Sequence, residues 1–213
     1  MPYWRPIGAA LAVLAYALFS HWLMLYAVSE PWAVAALFGP LLVVVFGVAA
    51  RRRHAPSLLA CAALVLVLVI VVARGGVDEV SRLYLLQHAG IHLALGWTFA
   101  VTLRPGSTAL ISALAAQVHG PLSTVMQAYT RRLTMIWVGY FLGMVVASLT
   151  LYTFAPWSWW SAFANLFTPF SAVAFFVAEH ALRYRLHPEF ERASLTQALR
   201  AYREAVAAKE ARR

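Results

Sequence analysis

Acidic side chains are scarce in this sequence. Eight Asp and Glu stand against 17 Lys and Arg in 213 residues, and charged residues of both signs make up only 12%. A water-soluble globular domain carries about a quarter of its residues charged, so this composition excludes one. Lysine is nearly absent: Lys209 is the exception among basic residues that are otherwise arginine. Cysteine occurs once, at Cys61 inside an apolar run, which excludes an intramolecular disulfide and a cysteine metal cluster and leaves the redox compartment unread. Also missing are a Walker loop, a GxSxG elbow, a dinucleotide-binding glycine fingerprint and an HExxH zinc motif. The HxxxxD and DxxAR constellations of membrane acyl and alcohol transferases are absent too, so no catalytic residues are assigned and no cofactor is expected. The basic balance comes with no nucleic-acid-binding motif, and no nucleic acid partner is expected.

What is present is apolar, at 62% of the chain. A helix needs about 20 mostly apolar residues to cross roughly 30 Å of hydrocarbon. Six runs meet that rule, at residues 7–28, 32–50, 56–74, 82–103, 133–155 and 159–184. The sequence therefore predicts an all-α integral membrane protein of six transmembrane helices, with residues 1–186 forming the membrane domain. The first run, preceded by Arg5, looks like a secretory signal. Its length, Trp22 and Tyr26 at its far end and the lack of a small-x-small cleavage site make it a retained helix. Pro40 in the second run and Pro169 in the sixth each remove a backbone donor and should kink or loosen their helices.

Arginines near the run ends orient the bundle. Arg5, Arg51 to Arg53, Arg104, Arg131, Arg132, Arg183 and Arg185 fall on one side, with the tail. Glu30, Arg74, Asp78, Glu79 and Arg82 fall on the other. Both termini are thus predicted to be cytoplasmic. Tyr3 and Trp4 mark the inner interface, and Trp22, Tyr26, Trp32, Trp157, Trp159 and Trp160 the outer one, which agrees independently.

Residues 107–130 are too long for a tight turn and too weakly apolar for a span. Leu110, Ile111, Leu114, Ala115 and Val118 share a helical face, and after Gly120-Pro121 so do Leu122, Val125, Met126 and Tyr129. Two short helices lying in the cytoplasmic interface are predicted. In the tail, residues 187–213, Ser194 and Gln197 have capping-box spacing, and Leu195, Ala198, Leu199, Tyr202 and Val206 form one stripe, which predicts an amphipathic cytoplasmic helix.

Titratable groups inside apolar runs are costly and face a bundle interior or a wet cavity. His88 and His92 lie four apart in the outer half of the fourth run, and His21 reaches a comparable depth. Interhelical hydrogen bonding is the favoured reading of the pair. A polar cavity and a metal site built on its i, i+4 spacing are the alternatives. Asn165, Thr168 and Glu179 would line such a cavity. Glu179 and His180 lie toward the cytoplasmic end of the last run, one turn before Arg183, so an i, i+4 ion pair is favoured over a proton-carrying carboxylate. Arg104, Arg131, Arg132, Arg183, Arg185, Arg200 and Arg203 form a basic face that sets topology, meets anionic membrane lipid and suits an acidic partner.

Several phrases form a pattern: "RPGSTALISALAAQVHGPLSTVMQAYTRRLTMIWVGYF", "WSAFANLFTPFSAVAFFVAEHALR" and "LTQALRAYR". The chain resembles a family of bacterial inner-membrane proteins that accompany aryl polyene and xanthomonadin-type pigment lipid synthesis. The likeness covers roughly the last two thirds of the chain. It implies an accessory role in a pathway that builds acyl chains on acyl carrier protein, a small acidic partner, and it carries over no catalytic residue. A small transporter or flippase, and a membrane enzyme with a histidine metal centre, are the rival readings.

Overall fold

The computed structural model describes residues 4–28, 30–51, 55–74 and 77–186. Arg52, Arg53, the tail helix, Arg200 and Arg203 lie outside the described residues. Within them the chain is helical and contains no strand: α1 Trp4–Tyr26, α2 Pro31–Arg51, α3 Ala55–Ala73, α4 Val77–Val101, α5 Leu110–His119, α6 Thr124–Phe154, α7 Trp157–Ala162 and α8 Thr168–Leu186. A π-helical turn, Phe163–Phe167, joins α7 to α8.

Among the described residues, three stretches are long and apolar enough to cross a membrane: Pro31–Arg51, Thr124–Phe154 and Trp157–Arg183. Helix α4 has the length, but Gln87, His88 and His92 dilute its apolar character. Exposure runs opposite to that of a soluble protein. Val43 (71% exposed), Leu59 (71%) and Phe170 (73%) face outward, while Thr134, Ser148 and Ser161 are fully buried.

The structure departs from the sequence reading after Gly120-Pro121. The second short interfacial helix does not exist as a separate element; its residues open α6, which continues unbroken to Phe154. No proline or glycine stands between Thr124 and Arg132, and Thr130 back-bonds to the Met126 carbonyl at 2.8 Å, so nothing stops the helix there. Helix α5 does end at the predicted break. Its terminal Gly120 has φ +73° and ψ −151°, a region that residues with a Cβ avoid. Pro40 is accommodated inside an unbroken α2.

The described chain divides into two compact units. The first comprises residues up to His88 together with Ser148–Phe170. Here α2 packs on α3, and α1 packs on α2, α7 and the π turn. Leu23, Leu37, Phe38, Tyr84 and Trp160 form its core. The Phe38 and Tyr84 rings stack at 5.3 Å and those of Trp157 and Trp160 at 4.8 Å. Both indole N–H groups are satisfied: Trp157 donates to the Met24 carbonyl at 2.6 Å and Trp160 to Ser148 Oγ at 3.1 Å.

The second unit comprises Ala89–Ala147 and the chain from Ser171 onward. Its core is an aromatic ladder. Trp137 meets Phe175 edge-on at 4.6 Å, Phe99 meets Phe141 at 5.3 Å, and the Tyr140 and Phe175 rings stack at 5.7 Å. Helix α5 is held by hydroxyls as well as by its half-buried apolar stripe. Ser112 is buried with Oγ 2.6 Å from Thr130 Oγ1, and the Leu110 N–H donates to Thr102 Oγ1 at 3.0 Å, while Leu114 remains exposed.

Candidate functional site

Pro169 determines the local geometry of the first unit's polar centre. It has no N–H, and in a regular helix its ring would press on the carbonyl of Asn165, four residues back. The chain widens into the π turn just before it, and the Thr168 N–H reaches the Phe163 carbonyl, five residues back. Thr168 Oγ1 also donates to that carbonyl, at 2.9 Å. A kink or loosening is the sequence expectation; the form it takes is this extra-wide turn.

Two histidines dock on hydroxyls flanking that turn. His21, from α1, places Nδ1 2.8 Å from Ser161 Oγ. His88, from α4, places Nε2 3.1 Å from Thr168 Oγ1. The His88 ring also sits edge-on to Trp160 at 6.1 Å and lies 5.7 Å from the Phe163 ring. Asn165, inside the turn, donates from Nδ2 to the Ser161 carbonyl at 2.9 Å and approaches Met24 Sδ at 3.1 Å. His21, His88, Asn165 and Thr168, singled out from sequence for their polarity, thus gather along the π turn, His21 and Asn165 on Ser161, which sequence reasoning missed, and His88 on Thr168. The available signal was spacing: Ser161, Asn165 and Thr168 stand four and three apart, one face of a helix.

The second unit holds His92 and the Glu179 group. His92 is buried, and its ring lies 6.2 Å from that of Phe141. Among the described residues, no group of three or more His, Cys, Asp or Glu is disposed to hold a metal ion.

Glu179 is a buried carboxylate with three donors. Arg183, one turn on, binds it in a fork, Nε to Oε1 at 2.9 Å and Nη2 to Oε2 at 2.8 Å. The Tyr129 hydroxyl, from α6, donates to Oε1 at 2.9 Å. The guanidinium supplies the charge that a buried carboxylate requires, and the phenol ties α6 to α8. Sequence spacing led to the Arg183 pair but not to Tyr129, which lies 50 residues away. His180 is exposed beside this group.

The basic residues are dispersed in environment. Arg131 is tied down, donating from Nη2 to the Leu103 carbonyl at 2.6 Å. Arg104, Arg132 and Arg185 are exposed and, among the described residues, form no ion pair. The arrangement therefore offers a hydroxyl–imidazole seam in one unit and a compensated carboxylate with exposed cations in the other. No protein-family model, curated protein or solved structure matches this chain.

Proposed function

We propose that the chain is a bacterial inner-membrane protein that crosses the bilayer six times with both termini cytoplasmic. In this reading it serves as an accessory component of acyl carrier protein dependent polyene lipid synthesis, and residues 187–213 form a cytoplasmic tail. Support for the membrane part comes from the outward-facing valines, leucines and phenylalanines and the three long apolar helices. Support for the pathway comes from the phrases quoted above.

The observation that carries the partner is the exposed cation set Arg104, Arg132 and Arg185, which forms no ion pair among the described residues, where Glu179 is consumed by Arg183 and Tyr129. Exposed positive charge speeds encounter with an acidic protein and orients it. The test is a binding titration of the purified protein with acyl carrier protein. Arg104→Glu combined with Arg185→Glu should weaken binding and flatten its salt dependence; unchanged affinity sinks the reading.

A second reading, a small transporter or flippase, is favoured by the π-turn seam. Polar groups beside irregular helix turns are where membrane transporters place their substrates. In this reading Ser161→Ala and Thr168→Val would slow transport of a lipid probe in proteoliposomes, while acyl carrier protein binding would not change.

A further inference from the structure

Helix α6 is longer than a bilayer requires. Its 31 residues rise about 46 Å at roughly 1.5 Å each, against about 30 Å of hydrocarbon. The apolar part begins after Arg132 and runs from Leu133 to Phe154, which is enough to cross. The first turns, Thr124 to Arg132, are therefore left at the level of the lipid headgroups wherever α6 spans.

Those turns carry an open concavity of about 350 Å³, lined by Thr124, Val125, Ala128, Tyr129 and Arg132. These positions lie on one helical face, at i, i+1, i+4, i+5 and i+8. The floor is fixed, because the Tyr129 hydroxyl is held by Glu179 at 2.9 Å. The nearby carboxylate does not repel an anion, because the Arg183 fork compensates it. Among the described residues, what remains is one exposed guanidinium, Arg132, one hydroxyl, Thr124, and an apolar wall of Val125 (53% exposed) and Ala128.

We propose that this concavity seats the phosphodiester of a membrane phospholipid, with Arg132 and Thr124 on its oxygens and the glycerol and first acyl carbons against Val125 and Ala128. A soluble phosphate would match the guanidinium but leave the apolar wall in water. The lipid matches both. The proposal rests on α6 crossing a bilayer and does not require the carrier-protein reading, with which it shares Arg132.

The test is native mass spectrometry of the full chain released from vesicles containing phosphatidylglycerol, with retained lipid counted per protein. Arg132→Gln should lower phosphatidylglycerol retention about fivefold, the contribution of one basic side chain near an anionic headgroup. Arg82→Gln, an exposed arginine on α4 outside the concavity, should leave it within twofold. Millimolar inorganic phosphate should not displace the lipid. Equal retention by wild type and Arg132→Gln overturns the site, and displacement by inorganic phosphate overturns the lipid as its occupant. On a Cys61→Ser background, Thr124→Cys should react with an impermeant maleimide in intact vesicles or after opening them, and Val146→Cys in neither. Rapid labelling of Val146→Cys means that α6 does not cross, and the proposal falls with that reading rather than with its own chemistry.

Discussion

Removing the Glu179 carboxylate is the most discriminating single perturbation of this fold. The side chain is 7% exposed and that of Arg183 25%, so the pair lies between the two regimes in which such pairs have been measured. Breaking a fully buried pair costs about 3–5 kcal/mol, because a charge is stranded without solvent. Breaking an exposed one costs about 0–1 kcal/mol. Arg183 can partly rehydrate once released, which places Glu179→Ala near 2–3 kcal/mol on these scales. Glu179→Gln should cost less, about 1–2 kcal/mol, because its amide oxygen can still accept from Tyr129. Tyr129→Phe removes only that third bond and should cost about 1 kcal/mol. A double-mutant cycle over Glu179→Gln and Arg183→Gln should return a coupling of about 1.5 kcal/mol. The measurement is equilibrium unfolding in mixed micelles, following tryptophan fluorescence against the mole fraction of a denaturing detergent. A coupling below about 0.5 kcal/mol would refute the reasoning, since it would class the pair with surface bridges despite its forked geometry.

Three other perturbations follow from the same geometry. Gly120→Ala places a Cβ at φ +73°, where the space is open but the backbone is not, and should cost about 1–3 kcal/mol by thermal shift. Ser112→Ala should cost about 1–2 kcal/mol, because Thr130 Oγ1 loses its 2.6 Å partner in a buried site, whereas Leu114→Gln, at the exposed position of the α5 stripe, should shift the same midpoint little. Trp160→Phe should lower the unfolding midpoint and remove a shielded component from the tryptophan emission, since Trp160 is fully buried and its Nε1 is bonded to Ser148; an emission spectrum of unchanged shape would contradict that burial.

Helix positions were legible from the sequence wherever apolar runs were bounded by arginine, glycine or proline. The residues 32–50 expected in the second run correspond to Pro31–Arg51, and residues 56–74 to Ala55–Ala73. The start of α6 was not legible, because polarity at Thr130, Arg131 and Arg132 suggests a surface segment while saying nothing about helix continuity; arginine is a good helix former. Partners close in sequence were accessible through the i, i+4 rule, as for Glu179 and Arg183. Partners distant along the chain, such as Ser161 with His21 and Tyr129 with Glu179, depend on packing that no periodicity encodes. The stabilising face of α5 was hidden for a related reason. In an apolar chain the informative residues are the small hydroxyl-bearing ones, and a search for hydrophobic stripes passes over them.

The π turn at Phe163–Phe167 also has a consequence for the history of this chain. Closing a helical ring with five residues instead of four amounts to one amino acid inserted into a helix that otherwise keeps its hydrogen bonds. Relatives that lack the turn should align with a single-residue gap confined to the stretch between Ser161 and Thr168, and they should have no need of the proline at position 169. The same stretch is therefore where a one-codon deletion, combined with replacement of Pro169 by a residue that has an N–H, should be tolerated by the backbone while abolishing the alignment of the histidine-bound hydroxyls, separating the integrity of the fold from the use made of its polar centre.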